Sequence, residues 1–293
     1  MLKDLEMQVK VNPQININMH RTEDNHLVES IAYYGSQYKK TILAITNQIG
    51  CPVKCDFCYV GEMGYKRNIT TEEYLQQVDA SLSLPEIDKN KEVKVSFCRA
   101  GEPLLNKHTL EGIIKVGDKY NPNIQLVSVM PDSKVTKNLL EGIAKYANDY
   151  NKIFQLVVST HTTDESRRKK IMPYSNLMSF DQISKFGKYW REQGNKRKIN
   201  LHFALMDSNE VDFEKIKEKF NPEYFAIRLG LYLPSTKEKS DNFPQSDLQR
   251  LEEKSKQAKN LGFKVINTLA RPIERKFDVR SHCSFKLLRE HWK

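Results

Sequence analysis

From residue 41 onward, short runs of apolar and β-branched residues alternate with longer amphipathic stretches. Each run has the length of a buried strand, and about ten or more residues with a helical period separate consecutive runs. The runs are Thr41 to Thr46, Val93 to Cys98, Ile124 to Val129, Phe154 to Ser159, Ile199 to Met206, Tyr224 to Leu231 and Phe263 to Thr268. This alternation predicts an α/β fold in which repeated βα units build a parallel sheet.

The same pattern divides the chain into three segments. Residues 1–40 have no long helical period, so we expect a short β-rich extension packed on the core. Residues 41–271 form the predicted core, and residues 272–293 form a C-terminal segment. Between Pro234 and Pro244 the chain is polar, which predicts a loop that closes over a site at the strand ends.

Capping residues mark two of the predicted helix starts. Thr70 precedes the acidic first turn Thr71-Glu72-Glu73, and the pair Ser246-Asp247 precedes Leu248. Small polar side chains at such positions accept hydrogen bonds from the free N–H groups of the first helical turn. Helices are therefore predicted to begin at these two points.

Three closely spaced cysteines, Cys51, Cys55 and Cys58, follow the first predicted strand of the core. Three thiolates at this spacing suit three corners of a 4Fe-4S cluster and leave the fourth iron open to a small molecule. A zinc site and three unrelated buried thiols are the alternative interpretations. Structural zinc prefers four Cys or His ligands, and no fourth one lies nearby in the sequence. The spacing therefore favours the cluster.

Composition favours a cytoplasmic protein. The chain has five cysteines in 293 residues, and Cys98 and Cys283 lie far from the other three, which does not predict a disulfide framework. The first residues lack the apolar core of a signal peptide. A mean hydropathy of -0.63 predicts no membrane-spanning helix.

The charge balance favours an acidic partner. The formal net charge is +10 and the pI is about 9.2, and nucleic acid, such as RNA, is the commonest acidic partner of such a protein. Candidate contact segments are the basic runs at 167–170, 196–198 and 286–293. Solvated lysine-rich helix faces are the alternative interpretation of each single run.

In its cysteine spacing, and in Phe57 beside the third cysteine, the chain resembles the radical S-adenosylmethionine (SAM) superfamily. Further motifs resemble the RlmN/Cfr-type rRNA adenine methylases within it. These motifs are Val28 to Ser30, Thr41 to Cys51, Gly61 to Gly64, Arg67 to Glu73, Gly101 to Asn106, Ser159 to His161 with Arg167, Met172-Pro173 and Asp278 to Cys283. The resemblance spans about residues 27–286 and implies a partial (β/α)6 barrel, a 4Fe-4S cluster, SAM, and an electron donor such as flavodoxin or ferredoxin.

The resemblance also implies roles for individual residues. Cys283 matches the cysteine that carries the transferred methyl group, and Glu29 matches a proton acceptor. Contacts to SAM are implied for Gly101, Glu102, Ser128, Ser159, Thr160 and His161. The alternatives are an ordinary core or surface thiol for Cys283, a solvated carboxylate for Glu29, and satisfied strand-end polar groups for the serines and the histidine.

Three departures from the family pattern affect the predicted reaction. Ala44 stands where the family has a second catalytic cysteine, which helps to deprotonate and release the adduct. Cys98 is the one spare thiol; its position favours a buried small apolar residue, and replacement of the missing catalytic thiol is the alternative interpretation. Because the chain begins only about 40 residues before the matched core, we expect it to lack the family's N-terminal RNA-binding domain. Leu233 replaces an asparagine that contacts SAM, and Asn242 is a candidate substitute.

The leading hypothesis is a radical SAM methylase that uses Cys283 to deliver a one-carbon unit to an sp2 carbon, such as that of an RNA adenine. One alternative keeps SAM cleavage but acts on a small molecule or peptide. Another is a non-catalytic regulator that binds SAM or RNA. The sequence predicts no oligomeric state.

Overall fold

The structure is a computed structural model that describes residues 1–234 and 237–270. Its first three strands are antiparallel neighbours, as expected for a β-rich N-terminal segment. They are β1 (Leu2–Asn12), β2 (Ile15–Thr22) and β3 (Leu27–Tyr33). The predicted C-terminal segment, with Cys283, lies outside the described residues, and the proposed three-segment division stays a prediction.

All seven strands predicted for the core are present, each within one residue of its predicted ends. The strands that continue the chain are β4 (Thr41–Ile45), β5 (Gln48–Ile49), β6 (Arg67–Asn68), β7 (Val93–Phe97), β8 (Asn123–Ser128), β9 (Phe154–Ser159), β10 (Ile199–Leu205), β11 (Phe225–Leu231) and β12 (Lys264–Asn267). The short pair β5 and β6 forms a separate ribbon. Every other described strand joins one sheet in the order β1-β2-β3-β4-β7-β8-β9-β10-β11-β12.

Neighbours from β4 to β12 in this sheet are parallel, whereas β3 pairs with β4 in antiparallel orientation. Helices make the crossovers that parallel strands require. Within the described residues they are α1 (Thr71–Leu82), α2 (Thr109–Tyr120), α3 (Lys134–Asp149), α4 (Glu165–Ile171), α5 (Phe180–Glu192), α6 (Phe213–Lys219), α7 (Lys237–Asn242) and α8 (Leu248–Asn260). The result is the predicted α/β fold with the parallel sheet of a partial barrel.

Both predicted helix starts are confirmed. The Thr70 hydroxyl accepts a hydrogen bond from the Glu73 N–H at 3.2 Å, and the Glu73 carboxylate accepts one from the Thr70 N–H at 2.9 Å. This reciprocal pair is a capping box. The Asp247 carboxylate accepts from the Arg250 N–H at 2.7 Å and caps α8.

Alternation along the strands separates a helix-facing core from a polar interior. On β7, Val95 and Phe97 are fully buried in the main apolar core between sheet and helices. Lys94, Ser96 and Cys98 occupy the alternate positions and line a cavity on the other face. The parallel strands therefore present a hydrophobic outer face to the helices and a more polar inner face to the cavity.

None of the helices in residues 1–234 and 237–270 has the length and hydrophobicity needed to cross a lipid bilayer.

Candidate active site

A cavity of about 470 Å³ lies on the inner face of the sheet, where the parallel strands end. Most of the predicted site residues meet there. The cavity lining includes Cys51, Cys55, Cys58, Gly101, Glu102, Ser128, Ser159 and His161. The structure thus gathers residues from the ends of β4, β7, β8 and β9 around one space.

The loop that carries the cysteines is held in a tight conformation. Gly50, directly before Cys51, has a φ of +74°, and a Cβ at this position would lie 1.5 Å from the Gly64 carbonyl oxygen. Only glycine fits there. Within the loop the Cys58 N–H donates to the Cys55 carbonyl at 2.9 Å, and the Asp56 N–H donates to the carbonyl of Ile171 at the end of α4, also at 2.9 Å. The loop is therefore attached to the body of the protein between its second and third cysteines.

Burial dominates the electrostatics of the three thiols. It raises the pKa of Cys51 to about 12, and it raises the pKa values of Cys55 and Cys58 as well. Negative charge on Cys58 and Cys51 raises the pKa of Cys55 further. Thiolates are the metal-binding form, and bound iron supplies the positive charge that offsets this burial.

Phe57 forms an aromatic cluster beneath the cysteine loop. Its ring packs edge-on against His161, Tyr232 and Phe243, with ring centroids 4.9, 6.2 and 6.2 Å away. The Tyr232 hydroxyl also donates to the Phe57 carbonyl at 2.7 Å. These contacts place the loop over the ends of β9 and β11.

Gly101 allows the chain after β7 to approach β5 closely. It has a φ of +91°, and a Cβ would lie 2.4 Å from the Gln48 Cβ and 2.6 Å from the Gln48 backbone nitrogen. The next N–H, that of Glu102, donates to Gln48 Oε1 at 2.8 Å. The glycine turns the Glu102 side chain toward the neighbouring strand end.

Glu102 is a buried carboxylate with three donors around it. It accepts hydrogen bonds from the Ser128 hydroxyl at 2.6 Å, from the Val129 N–H at 2.9 Å and from the Leu104 N–H at 2.9 Å. Burial outweighs these bonds and raises the pKa of Glu102 to about 7. A cationic ligand beside it would favour the ionised form.

A buried arginine from α4 supports this arrangement from behind. Arg168 is fully buried, and its guanidinium donates to the Val129 carbonyl at 2.6 Å and to the Met178 carbonyl at 2.9 Å. Burial lowers its pKa to about 10, so the group stays charged at neutral pH. Val129 is therefore held from both sides, by Glu102 and by Arg168.

Ser159 ends β9, and Thr160 and His161 follow it; of these three, Ser159 and His161 are among the described residues that line the cavity. Thr160 is buried and donates to the Val158 carbonyl at 3.2 Å. His161 Nδ1 accepts from the Ala204 N–H at 3.1 Å, which assigns the ring hydrogen to Nε2. Burial lowers the pKa of His161 to about 3, so the ring is neutral.

Glu29 on β3 lies behind the cavity wall rather than among its lining residues. Its Oε1 accepts two hydrogen bonds from Arg99, from Nε at 3.0 Å and from an Nη at 2.7 Å. Both side chains are at most 5% exposed. Arg99 itself lines the cavity, so Glu29 acts on the cavity through this ion pair.

The remaining residues singled out in the sequence have distinct places. Ala44 and Cys98 both line the cavity and belong to the same apolar contact cluster. Leu233 lines it too, whereas Asn242 is exposed at the end of α7 and is not among the described lining residues, so its candidate role is unsupported. Deeper in the cavity, Lys94 and Arg228 both donate to Gln125 Oε1, at 2.5 and 3.4 Å.

Sequence reasoning missed the roles of Arg99, Arg168 and Lys239. Arg168 lies in a basic run that suggested a solvated or RNA-binding surface, but it is fully buried. Arg99 meets a partner 70 residues away in the sequence. Lys239 reaches the Asp56 carbonyl, 183 residues away, from the segment predicted to close over the site. Only that loop prediction offered a partial signal.

Comparisons with known proteins agree with this geometry. Residues 48–220 match the family model for the radical SAM superfamily. The chain is 32% identical over 223 residues to the RlmN-type RNA methyltransferase of Petrotoga mobilis and 29% identical over 209 residues to that of Thermosipho melanesiensis. These alignments cover 71% and 70% of this chain but 58% and 57% of the relatives, so the chain spans little more than half of their length.

The fold has a solved counterpart. The crystal structure of a radical SAM methyltransferase from Sphaerobacter thermophilus superposes with a TM-score of 0.77. The superposition covers 96% of this chain and 80% of that one, at 18% sequence identity. It supports the α/β partial-barrel architecture.

Proteins of the matched superfamily bind a 4Fe-4S cluster and SAM. Cys51, Cys55 and Cys58 have the spacing of the cluster motif, and their thiols meet in one cavity beside a buried carboxylate. Three thiolates leave one iron of the cluster for SAM, so the donor set fits the cofactor. Since the family match covers more than half of its residues, the chain belongs to the radical SAM superfamily.

Proposed function

We propose that this protein is an RlmN/Cfr-like methyltransferase that adds a one-carbon unit to an sp2 carbon of an RNA adenine, with Cys283 as the methyl carrier. The observation that carries the proposal is the placement of Glu102 and Ser128 in the same cavity as the three cluster cysteines. The names of the curated relatives support methyl transfer to RNA.

In this proposal Cys51, Cys55 and Cys58 hold the cluster, which when bound supplies the electron that cleaves SAM. Glu102 binds the amino group of SAM, because a buried carboxylate gains most from an ammonium partner. Gly101 and Ser128 orient that carboxylate, and Ser159 and His161 contact the rest of SAM from the end of the neighbouring strand β9.

The aromatic cluster around Phe57 and the apolar wall near Ala44 keep water away from the reacting atoms. Exclusion of water protects reactive species from side reactions. A flavodoxin or ferredoxin in the cytoplasm is the proposed source of the electron. The net charge of +10 supports both RNA and an acidic electron carrier as partners.

Ala44 makes the release step of this protein different from that of the family. Alanine can neither accept a proton nor form a disulfide. We propose that Cys98, which lines the same cavity, takes over the thiol chemistry. Cys98→Ala would then stop turnover but leave SAM cleavage intact, and normal turnover in this variant would contradict the idea.

The testing experiment is anaerobic purification, reconstitution with iron and sulfide, and incubation with SAM carrying a deuterated methyl group. Peptide mass spectrometry of the segment with Cys283 is expected to find one labelled methyl group, and Cys283→Ala is the matched control. Production of 5′-deoxyadenosine is followed in the same samples, and transcribed RNA is then tested as acceptor.

A small molecule or peptide is the second candidate substrate. It is favoured by the polar interior, where Lys94, Gln125 and Arg228 line the cavity. SAM cleavage with an unmodified Cys283 and no labelled RNA would support this candidate and overturn methyl transfer through Cys283. Absence of 5′-deoxyadenosine after reduction would instead favour a non-catalytic regulator.

A further inference from the structure

Helix α7 contacts the cysteine loop through one buried lysine. Lys239 is 8% exposed, although the other residues of this six-residue helix are exposed or half-buried. Its ammonium group donates to the Asp56 carbonyl at 2.5 Å and forms an ion pair with the Glu62 carboxylate at 2.8 Å. Asp56 lies between Cys55 and Cys58, and Glu62 lies in the short 3-10 helix that follows them. The lysine thus joins two parts of the loop.

The neighbouring peptide group is held in a similar way. The Phe57 carbonyl accepts from the Tyr232 hydroxyl at 2.7 Å, and the Phe57 ring contacts Phe243 just after α7. Side chains after β11 therefore hold both carbonyls between the second and third cysteines. One of these partners, Lys239, carries a full positive charge.

The Lys239 ammonium group thus lies against the backbone between two of the three cysteines, at the Asp56 carbonyl. Arg99 forms an ion pair with the buried Glu29 carboxylate. Lys239 forms an ion pair with Glu62, which is 46% exposed and therefore screened by water.

Reduction adds one electron, and hence one negative charge, to an iron–sulfur cluster. A fixed positive charge in partly buried surroundings stabilises the reduced form more than the oxidised form. The electrostatic effect of a nearby ammonium group is therefore a higher reduction potential.

We propose that Lys239 is a positioning residue that holds the Cys55–Cys58 segment and raises the reduction potential of the cluster bound there. The ammonium thereby makes reduction by a protein electron carrier easier. The inference depends on the proposed function only through the presence of the cluster, and it is independent of the methyl acceptor.

The experiment is a redox titration of the reconstituted full-length protein, with dithionite as reductant and the reduced cluster followed by electron paramagnetic resonance. Lys239→Gln is expected to lower the midpoint potential by about 59 mV, which corresponds to a tenfold change in the ratio of reduced to oxidised cluster for one electron. Lys239→Arg keeps the charge and is expected to restore most of the potential.

Two further variants separate electrostatics from a purely structural role. Glu62→Gln removes the opposing negative charge and is expected to raise the potential, by less than the Lys239 effect because Glu62 is partly exposed. Lys237→Gln removes an equal charge from an exposed position of the same helix and is expected to have little effect.

Each outcome of these titrations supports or overturns the inference about Lys239. Failure of the wild-type protein to bind iron and sulfide would overturn the proposed function together with this inference. A cluster that forms normally but has the same potential in wild type and Lys239→Gln would overturn this inference alone. Shifts of the same sign in Lys239→Gln and Glu62→Gln would also overturn it, since they would indicate a mechanical role. If Lys239→Gln cannot hold a cluster, the opposite shift expected of Glu62→Gln still tests it.

Discussion

Glu102 is the residue whose chemistry depends most on its surroundings. It accepts three hydrogen bonds, which favour the ionised carboxylate, but it is 3% exposed. Burial outweighs the bonds and raises the pKa to about 7. In the ligand-free protein, burial of the ionised Glu102 carboxylate therefore lowers the stability of the fold. A cationic ligand would remove this cost.

This cost predicts a pH dependence of stability in the iron-free protein. The folded-state pKa of Glu102 lies above its ordinary value of 4.5, so folding favours the protonated form. Below pH 4.5 protonated Glu102 makes its full contribution to the free energy of unfolding, and this contribution is lost as the pH rises through about 7. Its size is about 3 kcal/mol. Urea unfolding of the wild type and of Glu102→Gln, compared across this range, would measure it.

The difference in unfolding free energy between Glu102→Gln and wild type should change by that amount between acid and neutral pH, because glutamine does not titrate. Lost hydrogen bonding at Val129 shifts the whole curve of the variant without changing its slope. Parallel curves would show that Glu102 has an ordinary pKa.

Gly101 predicts a steric effect at the same site. Gly101→Ala combines backbone strain at a φ of +91° with a Cβ 2.6 Å from the Gln48 nitrogen. We expect a loss of about 2 kcal/mol or more in unfolding free energy, together with weaker SAM binding. The control is Gly262→Ala, where φ is +87° and no atom lies within 4 Å of the added Cβ. It should cost about 1 kcal/mol and leave SAM binding unchanged, and equal losses in both variants would contradict the close approach to Gln48.

At the scale of elements, α4 shows how one basic run serves two purposes. Asp164 caps this seven-residue helix by accepting from the N–H groups of Ser166 and Arg167. The helix then places Arg168 inward, against the carbonyls of Val129 and Met178, while Lys169 and Lys170 stay exposed. Charge counting along the sequence treats these residues alike, whereas the helical period separates them.

Variants within this run test the separation. Arg168→Met leaves the carbonyls of Val129 and Met178 without their described donor and is expected to destabilise the protein by about 2 kcal/mol or more. Lys169→Met should change stability by less than about 0.5 kcal/mol. Urea unfolding of both measures the contrast. An equal, small effect of the two changes would show that the buried guanidinium has no structural role.

The strand pattern of the core could be predicted to within one residue because runs of apolar and β-branched residues between amphipathic stretches are local properties of the chain. The contacts of Arg99 with Glu29 and of Lys239 with Asp56 could not, since they join residues 70 and 183 positions apart. Pairing at such separations depends on strand order and loop paths. The cluster motif was recognisable because its three ligands lie within eight residues, from Cys51 to Cys58.

At the scale of the whole molecule, the net charge of +10 makes RNA binding testable through its salt dependence. Each lysine or arginine that contacts a phosphate of single-stranded RNA releases bound counterions and adds about 0.7 to the slope of log K against log salt concentration. Lys169 and Lys170 are exposed on α4, whose last residue, Ile171, accepts a hydrogen bond from the cysteine loop. They are therefore the described lysines that we expect at the RNA-binding edge.

The double change Lys169→Gln with Lys170→Gln should lower the slope by about 1.4, whatever the RNA sequence, because two phosphate contacts are lost. The control removes the same charge at Lys185 and Lys188, two exposed positions of α5. Fluorescence anisotropy with a labelled transcript over a range of salt concentrations gives both slopes. Equal slopes in the two double variants would show that the charge acts only through the overall field, and RNA would then have to be recognised elsewhere on the surface.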